Sequence, residues 1–206
     1  MNSYQKEQIE ALQIISCHMA ELKTELLQTL EVPLKEYLLF RSQTDIFLSD
    51  HFSEICNLSC YQNRLSACCS KDGIITFFAD VVINALSTSK AELDNIETLI
   101  KKPNTKYKCV YLAPEGCVWR VKPIVCQMFL CDKAIAEVFG KNPSAQKLWE
   151  NFKKKQKDFT WPDKIVLFDQ IESIFIEAGC SSTLMYLNKS PGLLRIKRQA
   201  GLFKKQ

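Results

Sequence analysis

Eight of the chain's ten cysteines fall between Cys56 and Cys131, and this clustering constrains the fold more than any other feature. The eight are Cys56, Cys60, Cys68, Cys69, Cys109, Cys117, Cys126 and Cys131, while Cys17 and Cys180 stand apart. What the cluster means depends on the redox compartment. No apolar run approaches the roughly 20 residues that span a bilayer. Met1-Asn2-Ser3-Tyr4-Gln5-Lys6 lacks the shape of a signal peptide. The sequence thus predicts a cytoplasmic protein, where disulfides rarely persist and clustered thiols point to metal ligation.

The spacing is Cys56-x3-Cys60-x7-Cys68-Cys69, then, after a long insert, Cys109-x7-Cys117-x8-Cys126-x4-Cys131. Several thiolates sharing one cation offset the cost of deprotonating and burying each. Adjacent Cys68 and Cys69 point apart, so one is expected to ligate while the other packs, bridges or serves a second centre. Cys126 and Cys131 would lie roughly 140° apart on an ideal helix. If both are ligands, a helix must begin or break between them. There is no Cys-x2-Cys knuckle and no histidine among the clustered cysteines; His51, five residues before Cys56, reads as a loop histidine. All-sulfur ligation suits either Zn²⁺ or an iron–sulfur cluster such as [4Fe-4S], and spacing leaves both open.

The expected architecture is mostly α: a helical domain with a small irregular or β cysteine-rich metal-binding element. Leu12, Ile15, Met19, Leu22 and Leu26 recur at helical steps, and Pro33 should end or kink that helix. A second helix over Leu34–Leu48, packed back on the first, would complete an N-terminal hairpin over residues 1–50. Cys17 reads as core filling and His18 as a boundary residue. The cysteine element covers 51–140. Within it, Gly73–Phe78 reads as a short strand or a helix entry, followed by a helix over Ala79–Leu86. Ser89-Lys90-Ala91-Glu92 has capping-box spacing before a helix with Leu93, Ile96 and Ile100 on one face. Lys108–Leu112 and Val118–Val121 read as strands joined at Pro114-Glu115-Gly116. Pro123 suits a helix start and Gly140 a stop. Residues 141–206 should hold helices over Ser144–Lys155 and Pro162–Ala178, the latter packing through Ile165, Phe168, Ile171 and Phe175 to a stop at Gly179, then a basic tail. The three segments are expected to form one compact domain.

The formal net charge is +4, yet no acidic residue follows Glu177, whereas Lys189, Arg195, Lys197, Arg198, Lys204 and Lys205 do. Six cations are few for nucleic-acid affinity, so an intramolecular acidic partner is expected instead. The six glycines build neither a dinucleotide-binding loop nor a P-loop, and no nucleophile elbow occurs. Trp119, Trp149 and Trp161 read as core rather than as a stacking platform. No catalytic residue, protein partner or small-molecule substrate is assigned.

Ser66-Ala67-Cys68-Cys69, then Cys109-Val110-Tyr111-Leu112, Gly116-Cys117, Lys122-Pro123, Cys126 and Cys131 form a pattern. It resembles the YkgJ-like cysteine-cluster family, described as zinc- or iron-chelating and including the flagellin lysine methylases. The match covers roughly Cys56 to Cys131. Lys122 stands where the family has arginine, keeping charge without the planar fork. Leu65 stands where many members have a cysteine, a role that Cys60 is expected to take. The resemblance implies a cysteine-held centre, an iron–sulfur cluster ahead of zinc, serving redox or group-transfer chemistry. A structural zinc site in an interaction module and a metal-free thiol-redox protein are the alternatives.

Overall fold

The computed structural model describes residues 1–56, 75–103, 109–113 and 116–203. Two long helices come first, α1 (Ser3–Thr29) and α2 (Glu31–Ile55). Asn2 starts α1 by accepting the Gln5 amide at 2.8 Å, while the Gln5 side chain returns to the Asn2 amide, a reciprocal cap that satisfies two otherwise orphaned donors. Leu30 alone joins α1 to α2. Pro33 falls in the first turn of α2, where its missing amide is harmless, so α2 begins earlier and runs longer than the spacing predicts. The two helices do not mainly fold back on each other. α1 packs chiefly on α3 (Phe78–Ser87) and α4 (Lys90–Lys101), and α2 on α6 (Asp132–Phe139) and α7 (Pro143–Thr160).

Capping residues explain the other boundaries. Ser89 and Glu92 form the expected box at the start of α4, with Ile96 and Ile100 buried beneath it. Asn142 caps α7 by accepting the Ala145 amide at 3.0 Å, with Pro143 in the first turn. The next helix, α8 (Leu167–Glu177), ends at Gly179, whose φ of 81° favours glycine. There the Cys180 amide reaches back to the Phe175 carbonyl at 2.9 Å. Phe168, Ile171 and Phe175 are buried as the spacing predicts, but Ile165 is 67 % exposed, because α8 begins only at Leu167.

Aromatic rings fill the space between α2, α7 and α8. Phe47 stacks on Trp149 with centroids 5.6 Å apart, Phe40 on Phe159 at 5.5 Å, and Tyr37 meets Phe168 edge-on at 5.6 Å. Such contacts add about 0.5–1.5 kcal/mol each beyond burial. Trp149 and Trp119 are core, as expected, whereas Trp161 is partly exposed. Cys17 is exposed, not core filling; it follows buried Ile15 by two residues, about 200° around the helix.

The cysteine-bearing region holds an antiparallel pair, β1 (Leu112–Ala113) and β2 (Gly116–Cys117), with Leu112 opposite Cys117 and Ala113 opposite Gly116. This pairing is shorter than expected, and Val118–Val121 lies beyond it. The reading of Gly73 and Ile74 and the turn residues Pro114 and Glu115 lie outside the described residues. Three further helices complete the described fold: α5 (Ile124–Gln127) precedes α6, and α9 (Tyr186–Lys189) leads into α10 (Pro191–Gln199). One of the C-terminal cations finds an internal acidic partner: Lys197 is buried against Asp169 of α8 and lies 3.2 Å from Asn188 Oδ1, while Lys204 and Lys205 lie outside the described residues. Among the described residues, no helix is long and apolar enough to cross a membrane.

Candidate metal centre

The candidate ligands that are described come from three separate pieces of chain. Cys56 caps the C-terminal end of α2. Cys109 precedes β1, and Cys117 lies in β2 opposite Leu112. Cys126 lies in α5 and Cys131 at the N-cap of α6. The helix breaks over Met128–Leu130, between Cys126 and Cys131, which is the interruption required if both are ligands. Cys60, Cys68 and Cys69 lie outside the described residues.

Cys126 is held by a network the sequence does not advertise. Arg41 of α2, only 3 % exposed, donates to the Lys122 carbonyl at 2.5 Å, to the Tyr37 hydroxyl at 2.5 Å and to Gln127 Oε1. Gln127 in turn donates to the Arg41 carbonyl at 3.1 Å. From α3, Asp80 accepts the Ile124 amide at 3.0 Å and Asn84 accepts the Val121 amide at 3.1 Å. Both ends of the Val121–Gln127 segment are thereby fixed by buried polar groups. Burial pushes the Asp80 carboxyl up to about 6, with the Arg41 charge and two amides pulling it back. Lys122 itself points outward, 4.0 Å from Asp45.

On one side of Cys126 stands a buried hydroxyl cluster. Tyr111 donates to Gln8 Oε1 at 2.8 Å, and its amide donates to Cys109 Sγ at 3.4 Å. Burial raises the Tyr4 hydroxyl well above the ordinary range, and the charges of Cys109 and Cys126 add to the rise. Burial likewise dominates at Tyr111, where Tyr4, Cys109 and Cys117 are all felt. Three candidate ligands are thus felt electrostatically at one pair of tyrosines, and Cys109 touches the pair through the Tyr111 amide. The Tyr4 and Thr76 hydroxyls lie together there, yet among the described residues neither has a well-formed hydrogen bond, and Gln8 Nε2 also lacks one. Buried donors without acceptors are costly, and thiolate sulfur is an acceptor that would relieve them.

On the other side of Cys126 is a cavity of about 310 Å³ between α2 and the α5–α6 segment. Cys56, Cys126 and Cys131 all line it, with Phe52 in its wall and Lys122 and Lys133 among its lining cations. Cys126 therefore lines the cavity and is also felt electrostatically at Tyr4. Cys56, Cys109, Cys117 and Cys126 each engage a further partner as well.

No family model, curated protein or solved structure matches the chain. The site is therefore read from its own residues. Among the described residues, no three His, Cys, Asp or Glu side chains gather closely enough to hold a metal ion by themselves. The donor chemistry nonetheless fits a thiolate-bound centre: soft sulfur ligands from separate elements, an amide donating to sulfur, and unrelieved buried hydroxyls. His51 packs against Phe47 at 4.8 Å, as a helix residue rather than the loop histidine expected. Sequence reading missed Tyr4, Gln8, Arg41, Thr76, Asp80, Asn84 and Gln127. Polarity alone does not set these residues apart from solvent-facing ones, so the sequence carries no signal for them.

Proposed function

We propose that the chain is a cysteine-ligated metal protein, with an iron–sulfur cluster ahead of zinc, whose centre supports redox or group-transfer chemistry. The observation that supports the reading is that Cys109, Cys117 and Cys126 all act electrostatically on the buried Tyr4–Tyr111 pair, beside which the Tyr4 and Thr76 hydroxyls lack a hydrogen-bond partner among the described residues. Cys60, Cys68 and Cys69 are proposed to complete the ligand set, and the resemblance to YkgJ-like proteins favours iron–sulfur. An iron–sulfur cluster would supply one-electron chemistry at low potential. The protein's own contribution is positional: Arg41, Asp80 and Asn84 fix the segment bearing Cys126, and the Tyr111 amide lowers the charge density on Cys109 sulfur. The adjoining cavity gives a second molecule access to Cys126.

Individual substitutions test this assignment. Cys126→Ser should sharply lower the iron or zinc retained after anaerobic purification, whereas Cys180→Ser, at the C-terminal end of α8, should leave it unchanged. Equal retention in both variants would remove Cys126 from the ligand set.

A further inference from the structure

We infer that the cavity beside Cys126 binds a small amphiphile, an apolar body bearing one anionic group such as a carboxylate or phosphate. This deepens the proposed function by naming the ligand class of its adjoining cavity, and it rests on that reading only for the ligand's relation to the metal. The volume, about 310 Å³, falls at the small end of the roughly 300–1,000 Å³ typical of ligand pockets. Its walls are apolar: Leu48, Phe52 and Ile55 from α2 face Leu130 and Ala134 from the opposite side. Phe129, 46 % exposed, lies at the same cavity, where an aromatic ring in water gains by covering an apolar guest.

Charge decides the second half of the ligand. Two lysines line the cavity against a single carboxylate, Asp45, and Lys122 already faces that carboxylate at 4.0 Å. Among the described residues, Lys133 has no ion-pair partner and remains available to an incoming anion. Lys133 also lies in the first turn of α6, whose N-cap, Cys131, makes no side-chain capping bond. Amides at such an end add a favourable field for negative charge. Lys133 is exposed, so its ammonium is free to reach an anionic group at the mouth of the cavity, while a cationic guest would be repelled.

Anilinonaphthalene sulfonate is a probe of this chemistry, and neutral N-phenylnaphthylamine is its uncharged counterpart. Titrated into the native full-length chain, the sulfonate should show saturable fluorescence enhancement at about one site, displaced by decanoate or by decyl phosphate. Whichever competitor is stronger identifies the preferred headgroup. The double variant Lys122→Gln/Lys133→Gln should weaken sulfonate binding about tenfold at low salt while leaving the neutral probe within about twofold. Ser49→Trp, at an exposed position lining the cavity, should block both probes with unchanged far-UV circular dichroism. Absence of saturable binding, insensitivity to Ser49→Trp in folded protein, or equal sulfonate affinity in the lysine variant would overturn the inference. Anion binding by protein lacking iron and zinc would contradict the metal reading alone. Metal-loaded protein that binds neither probe would contradict the cavity reading alone.

Discussion

Replacing Arg41 with methionine should be among the most damaging single changes in the chain. Methionine keeps much of the aliphatic stem but removes every donor. The Tyr37 hydroxyl, Gln127 Oε1 and the Lys122 carbonyl then lose their guanidinium partner together. An orphaned buried polar group costs about 1–3 kcal/mol. Asp80 also loses the charge that most strongly opposes its desolvation. Its penalty is bounded, because a carboxyl already at about 6 can take up a proton instead of staying charged. The combined loss should be about 3–5 kcal/mol, the range for breaking a buried charge arrangement from one side. Urea unfolding followed by tryptophan fluorescence reads this directly, since Trp149 is stacked in the core. The pH dependence supplies a second readout. Without Arg41 the folded-state value of Asp80 rises further above its ordinary 3.8. The stability associated with its protonated form is fully present below that ordinary value and lost as pH rises through the folded one, so the deficit should widen toward neutral pH. A loss below about 1 kcal/mol, independent of pH, would show that Arg41 does not organise this network.

Two further outcomes follow from the C-terminal half. Glu172, buried beneath the Leu187 and Asn188 amides, is pushed up by burial from 4.5 to about 7. Its contribution is complete below about 4.5 and falls away as pH rises through about 7, by up to about 3 kcal/mol. Glu172→Gln should flatten that part of the stability–pH profile, and an unchanged slope would contradict the assignment. Truncation after Arg198 should leave fold and metal content intact, since the buried cation is Lys197. Lys197→Ala should instead destabilise by about 3 kcal/mol, because Asp169 is left beside no ammonium. Equal melting temperatures for wild type and Lys197→Ala would refute this. If the truncation instead abolished tight, salt-sensitive binding to nucleic acid or anionic lipid, the tail would be a binding element.

Helical periodicity made most of the fold readable, and capping residues made several ends readable. Ser89 with Glu92, and Gly179, each carry their boundary in local chemistry. The cysteine grouping was readable for a similar reason, because residue type alone announces sulfur chemistry. The network that positions Cys126 was not. Arg41 and Gln127 are 86 residues apart, and a polar pair at that separation leaves no periodic trace in either segment. Gln5 and Gln8 sit in α1, among residues whose polarity suggests a solvent face, until the Ile100 and Lys102 carbonyls accept from Gln5 and the Tyr111 hydroxyl donates to Gln8. Cys17 is the converse case. Its chemistry suggested burial, whereas its angular position relative to Ile15 places it outward. The strand boundaries slipped because two-residue pairing is set by the partner segment rather than by its own alternation.

The central claim is best tested by the metal and sulfide content of freshly prepared, reduced protein purified without oxygen. Iron or zinc is expected at about one centre per chain, with acid-labile sulfide and visible absorption where the metal is iron. Protein that is folded and reduced, yet carries neither iron nor zinc, would contradict it.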